Sequence, residues 1–371
     1  KNNNNDNNHT TTVMSLADRL RLRKPTLNLS LSLIKQERVD SWGDSNFHEL
    51  YVIGKVLGSG TRSTVRRAKR RSDGYEVAVK CGHDGNDDEL RNFSRTEYEL
   101  MKSLQHRSIL RAEEMHELPS GIWVVMELCE DGCMDSYVTQ SSPFLEEESH
   151  SLAMQLLQSV SYLHSKRIVH RDLKPANLLL KNGASLLKVS DFNSAKKIGR
   201  SEGSSVMLTD RGTSLFSAPE LRFQRSWNEQ VDVWACGHCL FFMTQGDLAF
   251  DIGEPSVKHA LLSGAMPDID WKVFVSILWK NLTMQCLTPD PKQRPPILEL
   301  LVHPVFEQLQ YQYKSHVCRS VPDIQDIMGR AMTPTSDIAK RPCSVSLITI
   351  ARVPTPGRFR TPALRLRRQR C

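Results

Sequence analysis

Two short stretches carry the residue types that phosphoryl chemistry needs. In His170-Arg171-Asp172-Leu173-Lys174-Pro175-Ala176-Asn177 a carboxylate, an ammonium and a carboxamide fall close together, and 14 residues after Asn177 comes Asp191, in Ser190-Asp191-Phe192-Asn193. Moving a phosphoryl group requires a carboxylate to orient the attacking hydroxyl and accept its proton, oxygen ligands for Mg²⁺, and cations on the γ-phosphate. Asp172 supplies the first, Asn177 with Asp191 the second, and Lys174 with Lys80 the third. Lys80 ends Val77-Ala78-Val79-Lys80, a predicted strand. Before it, Leu57-Gly58-Ser59-Gly60-Thr61-Arg62-Ser63-Thr64-Val65 lies between two predicted strands. Glycines without a Cβ let backbone N–H groups there close over phosphate oxygens. Two glycines in a turn also make an ordinary hairpin, and a strand lysine is ordinarily just solvated. The whole ordered set is what singles out one chemistry.

These groups must be held by rigid elements. Tyr51, Val52, Ile53, Val56 and Leu57, then residues 65–68, then 77–81, read as short strands separated by glycine turns. A helix is predicted around 89–104 and a further strand at 123–126. Beyond Gly132 the pattern is mostly helical, with Leu152, Leu156, Val160 and Leu163 on one face. The expected fold is α+β: a small β-rich lobe over about 50–126 with one main helix, then a larger α-rich lobe over about 130–306.

Composition sets the outer limits. Of 371 residues, 39% are hydrophobic and 25% charged, ordinary for a globular chain with a sizeable core. No apolar run approaches the roughly 20 residues of a spanning helix; the longest, 231–243, is broken by Asp232, Gly237 and His238 and reads as a buried core helix. The nine cysteines are scattered. Only Cys236 and Cys239 have CxxC spacing, and they read as small apolar residues of that helix rather than half of a metal site. The usage fits a reducing, intracellular compartment, cytoplasmic or nuclear. The formal charge of +7 is concentrated at one end: residues 310–371 hold 12 Lys/Arg against 3 Asp/Glu. Residues 1–49 open on an asparagine-rich run and read as a flexible extension. Their acid-poor, Arg-containing part, 16–35, is either a partner-binding extension or the remnant of an organellar transit peptide. Residues 307–371, with several prolines and no sustained period, read as a disordered basic tail whose Arg365, Arg367, Arg368 and Arg370 suit a weak acidic partner.

Over residues 51–306 the motifs resemble those of the eukaryotic protein kinases. The resemblance implies a two-lobed fold with ATP and Mg²⁺ in the cleft, and protein substrates. Lys80 would hold the α- and β-phosphates and pair with a helical glutamate, Glu97 by its spacing to His106, with Glu99 the second choice. Met126 would guard the adenine site, Glu127 to Cys129 would form the hinge, and Ala78 and Leu179 would sandwich the ring. Asn177 and Asp191 would hold Mg²⁺. Gly212-Thr213-Ser214-Leu215-Phe216-Ser217-Ala218-Pro219-Glu220 resembles the end of an activation segment. Asp232-Val233-Trp234-Ala235-Cys236-Gly237 resembles the helix that anchors the catalytic loop, and Arg294 would pair with Glu220. Lys174 together with Thr213 is what kinases acting on serine and threonine show.

Three departures from the family pattern stand out. Ser63 stands where the third loop glycine usually lies. Asn193 stands where a glycine closes the metal-binding triplet, a position expected to need backbone freedom that asparagine reaches more easily than most residues. Cys133 and Ala176 replace acids that read basic residues before the target, with Glu130 and Asp131 near enough to substitute. Regulation by an upstream kinase is expected at Thr209, ahead of Ser201, Ser204 and Ser205, with Arg171 receiving the phosphate. Three Thr-Pro pairs, at Thr333, Thr355 and Thr361, are candidate sites for a proline-directed kinase. The rival reading is a kinase-shaped scaffold without phosphoryl transfer, whose usual signature is loss of a lysine or aspartate that this chain retains.

Overall fold

The computed structural model describes residues 45–60, 62–198, 215–223 and 227–307. The described chain forms two lobes. The smaller is an antiparallel five-stranded sheet with strand order β1-β2-β3-β5-β4. Its strands are β1 (Tyr51–Ser59), β2 (Ser63–Arg70), β3 (Glu76–Gly82), β4 (Ala112–Leu118) and β5 (Gly121–Glu127). Helix α1 (Ser45–Leu50) precedes the sheet and α2 (Asp88–Ser103) interrupts it.

Period-two alternation sorts the sheet residues onto two faces. Val77, Val79, Cys81, Trp123 and Val125 join Phe47 and Tyr51 in one small core, whereas Ala78, Ile122, Val124 and Met126 turn to the other face and merge with the main core. Residues 45–49, expected to be flexible, therefore contain a helix for a definite reason. Phe47 is 1% exposed and meets Tyr51 and Trp123 with ring centroids 5.0 Å away, so α1 covers an apolar face that water would otherwise wet. The sequence reading also passed over β4. Its Glu113, Glu114, His116 and Glu117 give no apolar alternation, and it is backbone pairing with β5 that makes it a strand.

The larger lobe is built on α3 (Met134–Gln140), α4 (Glu146–Ser165), α5 (Pro219–Phe223), α6 (Gln230–Gln245), α7 (Pro255–Leu262), α8 (Ile277–Cys286) and α9 (Ile297–Leu301). Leu152, Leu156, Val160 and Leu163 of α4 are at most 1% exposed, as their shared face requires. Helix α6 is buried along its whole length, which is why it is apolar all round. Cys236 and Cys239 lie wholly inside it, where burial raises both thiol pKa values. Gly237 lets α8 approach: a Cβ there would sit 2.7 Å from Leu287 and 2.8 Å from Cys286. This lobe is less purely helical than its sequence suggests. Short pairs β6 (Ile168–Val169) with β9 (Lys196–Lys197), and β7 (Leu178–Lys181) with β8 (Leu186–Val189), lie beside the cleft and carry the loops of interest.

Replacing Phe47 by Ala should destabilise the protein by about 3 kcal/mol. Val52→Ala, at a residue 46% exposed on the same sheet, should stay within about 0.5 kcal/mol. Urea denaturation of both variants checks this; equal effects would mean that α1 does not stabilise the lobe.

Candidate active site in the interlobe cleft

Lys80 stands on the middle strand of three, opposite Val65 of β2 and Val124 of β5. Its ammonium donates to both carboxylate oxygens of Glu97, at 2.8 and 2.7 Å. Glu97 is buried on α2 while Glu99 is exposed, which decides between the two candidates. Helix α2 starts where it does because the Asp87 side chain accepts the N–H groups of Glu89 and Leu90 at 3.0 and 3.1 Å. The Glu97 carboxyl is raised in pKa: burial dominates, Lys80 opposes it, and the charges of Asp191 and Asp84 add to it.

Across the cleft, the loop between β6 and β7 presents Asp172. The Lys174 ammonium lies 2.6 Å from its carboxylate, and the Asn177 amide donates to its carbonyl at 2.8 Å and its carboxylate at 3.2 Å. The loop hangs on Asp232 at the first turn of α6, which accepts the backbone N–H groups of His170 and Arg171 at 2.9 and 2.8 Å and faces His164 Nε2 at 3.0 Å. Burial alone would push the Asp232 carboxyl up. The His164 hydrogen bond, the charges of His164 and His170 and the Arg171 N–H outweigh it and hold the pKa below the ordinary carboxylate value. Ser190 ties the two stretches together, donating from N–H and hydroxyl to the Asn177 carbonyl at 2.9 Å each.

Asp191 follows with φ at +63° and is half-buried. Phe192, fully buried, meets the His170 ring at 4.9 Å between centroids. Asn193 overturns the expected reason for its presence. Its φ is not positive; the left-handed residues here are Asp191 and Arg171. The Asn193 side chain instead donates to the Asp191 carboxylate at 2.5 Å.

Lys80, Glu97, Asp191 and Asn193 line one cavity of about 310 Å³ under the β1–β2 hairpin, which contributes Gly60, Arg62 and Ser63. Gly60 N–H donates to the Ser63 carbonyl at 2.8 Å, and Gly58 and Ser59 pair with Val65 and Thr64. A Cβ at Gly58 would meet no atom of the described residues within 4 Å. Thr61 lies outside the described residues. A wider, shallow hollow of about 560 Å³ near Arg70, Tyr75 and Lys102 brings none of these groups together.

The protein kinase domain, as a family model, matches residues 51–306. The chain belongs to the protein kinase family. It is 31% identical over 265 residues to sperm motility kinase 2B of Mus musculus, covering 70% of this chain and 52% of that protein. It is 30% identical over 287 residues to serine/threonine-protein kinase 33 of Mus musculus, covering 74% and 58%. It is 31% identical over 264 residues to the SNF1-related protein kinase catalytic subunit alpha KIN12 of Arabidopsis thaliana, covering 69% and 51%. The chain thus spans about half the length of the curated relatives it matches.

Ala78 and Met126 are buried, and Val65, Leu179 and Cys129 pack half-buried against the same apolar cluster. Leu57 stays 44% exposed at the rim. Burial, then the Glu127 charge, pushes the Cys129 thiol up to about 12. Glu127 does more than its hinge position implies. Its buried carboxylate accepts from Lys188 Nζ at 2.7 Å and from the Arg111 N–H at 2.9 Å. Lys188, in the apolar strand Leu186-Leu187-Lys188-Val189, is a site residue that the sequence reading missed; a lysine at a position whose neighbours are all core was the available signal.

Glu220 and Arg294 form the expected pair, at 2.7 Å and almost wholly buried. Glu130 and Asp131, offered as readers of basic residues, are already engaged: they accept the Asn182 and Ala184 N–H groups at 2.9 and 2.8 Å. Those bonds stabilise a turn whose Asn182, Gly183 and Ala184 all have positive φ. Ser201, Ser204, Ser205, Thr209, Gly212, Thr213 and Ser214 lie outside the described residues, as do the tail and its arginines.

The donor set fits a nucleoside triphosphate with Mg²⁺. Asp191 offers a carboxylate that Lys80 does not neutralise, because Glu97 holds Lys80 with both oxygens. Asn177 turns its amide nitrogen to Asp172, which leaves the amide oxygen for a cation.

Two outcomes follow. Lys188→Met should destabilise by about 3 kcal/mol, because it leaves the buried Glu127 carboxylate only the looser ion pair with Lys181 at 3.8 Å, and adding Glu127→Gln should recover most of that loss; additive effects in a double-mutant cycle would show that the pair is not coupled. For Asp232, a depressed carboxyl stabilises above its unfolded pKa of about 3.9 and stops doing so as pH falls through the lower folded value. The stability gap between wild type and Asp232→Asn should therefore be constant from pH 7 to 5 and narrow below about pH 3.9, as measured by urea unfolding.

Proposed function

We propose that this chain transfers the γ-phosphate of ATP to serine and threonine hydroxyls of protein substrates. The observation that carries the reading is that Asp172, with Lys174 at 2.6 Å, is tied through Asn177 and Ser190 to Asp191, which lines the cavity holding the Lys80–Glu97 pair. Lys80, held straight by Glu97, binds the α- and β-phosphates. Asp172 orients the acceptor hydroxyl and takes its proton, while Lys174 places positive charge where the transferred group gains negative charge. Mg²⁺, when bound with ATP, neutralises phosphate charge, and Asn177 and Asp191 are the side chains that would hold it. Ala78, Val65 and Leu179 close over the adenine, and the backbone of Glu127 to Cys129 supplies its hydrogen bonds. The names of the relatives and the Lys174 signature support serine and threonine as acceptors.

Arg171 donates to the Ser194 carbonyl at 2.6 Å and lies 5.1 Å from the Trp227 ring. A phosphate placed on Thr209 by an upstream kinase would find this guanidinium at the base of the activation segment, and regulation by that route is part of the proposal. No helix among the described residues is long and apolar enough to cross a membrane.

With ATP–Mg²⁺ and a serine/threonine peptide library, the full chain should label peptides, and Asp172→Asn should lower kcat by about 10²- to 10⁴-fold. Absence of transfer by wild type carrying a Thr209 phosphate would instead favour the scaffold reading.

A further inference from the structure

Asp191 is in an unusual electrostatic position. Lys80, the lysine lining its cavity among the described residues, is engaged by both oxygens of Glu97, and Glu97 and Asp84 line the same cavity with their own carboxylates. Asp172, across the cleft, has Lys174 and Asn177 as partners. Among the described residues, the hydrogen bond that the Asp191 carboxylate accepts comes from Asn193 alone. The geometry behind that bond is local. The φ of +63° at Asp191 starts a tight turn, Phe192–Ser194, closed by Ala195 N–H on the Phe192 carbonyl at 2.9 Å, and this brings the Asn193 amide back over Asp191. A glycine at 193 would carry no donor.

We propose that Asn193 is a positioning residue for the cation-binding carboxylate: its amide holds Asp191 turned into the cavity, against the repulsion of Glu97 and Asp84, before any cation arrives. The proposal rests on Asp191 binding Mg²⁺. One N–H on Oδ1 leaves the other oxygen and its lone pairs open, so the bond orients the carboxylate without blocking it. An outer partner of this kind raises cation affinity by removing orientations that cannot bind. The groups proposed to hold the nucleotide, Lys80 and the apolar side chains of Ala78 and Leu179, do not include Asn193, so the effect belongs to the cation and not to the nucleotide.

The test follows binding of a fluorescent ADP analogue to the full chain, with and without Mg²⁺, for wild type, Asn193→Gly and Asn193→Leu. In EDTA all three should bind the analogue equally, which also reports that the variants are folded. The Mg²⁺ concentration giving half-maximal enhancement of binding should rise about tenfold in both variants, the low end of what outer partners contribute. An unchanged Mg²⁺ midpoint in Asn193→Gly overturns the proposal, as does a shift confined to Asn193→Leu, which would be steric. Asp191→Asn separates the two levels. It should abolish the Mg²⁺ enhancement, and an enhancement that persists in it removes the underlying assignment of Asp191 and the proposal with it.

Discussion

The buried carboxylate of Asp232 is the constraint on which the cleft depends. It has no solvent exposure and three polar partners: two consecutive backbone N–H groups, of His170 and Arg171, and the imidazole of His164. A charge so placed must be satisfied or it costs several kcal/mol, so the loop is bound to α6 as firmly as α6 is bound to the core. Arg171 pays for the arrangement with a φ of +66°, a strained backbone that persists only where its surroundings over-determine it. Asp172 therefore projects from a fixed frame, and Asn177 and Ser190 extend that frame to Asp191.

The small lobe is coupled to this frame through charge as well as apolar packing. Lys80–Glu97 locks α2 to the sheet, and Glu127–Lys188 joins the last residue of β5 to a strand of the large lobe. Both pairs are largely buried, so solvent screens them little; Glu97 accepts two hydrogen bonds from Lys80, and Glu127 accepts one from Lys188 and one from the Arg111 N–H. The cleft is consequently bordered by pairs that are satisfied, while among the described residues Asp191 forms no ion pair with a lysine. That imbalance marks where a cation would be most stabilised.

Asn193 stands where the family pattern places a glycine, in a cavity also lined by Lys80, Asp84, Glu97 and Asp191. Its conformation shows that the departure is not about backbone freedom. A side chain that donates a hydrogen bond stands where a glycine would leave the neighbouring carboxylate without one.

The motifs at 57–65, 77–80, 170–177 and 190–193 were legible in the linear chain, because phosphoryl transfer restricts residue types and their order, whereas Glu97 (ahead of Glu99), Glu220, Asp232 and Arg294 were named through the resemblance to the kinase family. The apolar periods likewise specified β1 to β3, α2, β5, α4 and the all-apolar α6. Other features were decided only by tertiary structure. Strand β4 exists through pairing with β5, helix α1 through the pocket that takes Phe47, and the engagement of Glu130 and Asp131 through a turn some 50 residues away. Lys188 on Glu127 and Asn193 on Asp191 belong to the same class. Residue type and local spacing report what a segment can do by itself, whereas the partner of a buried polar group is chosen by whichever donor the folded chain brings within about 3 Å.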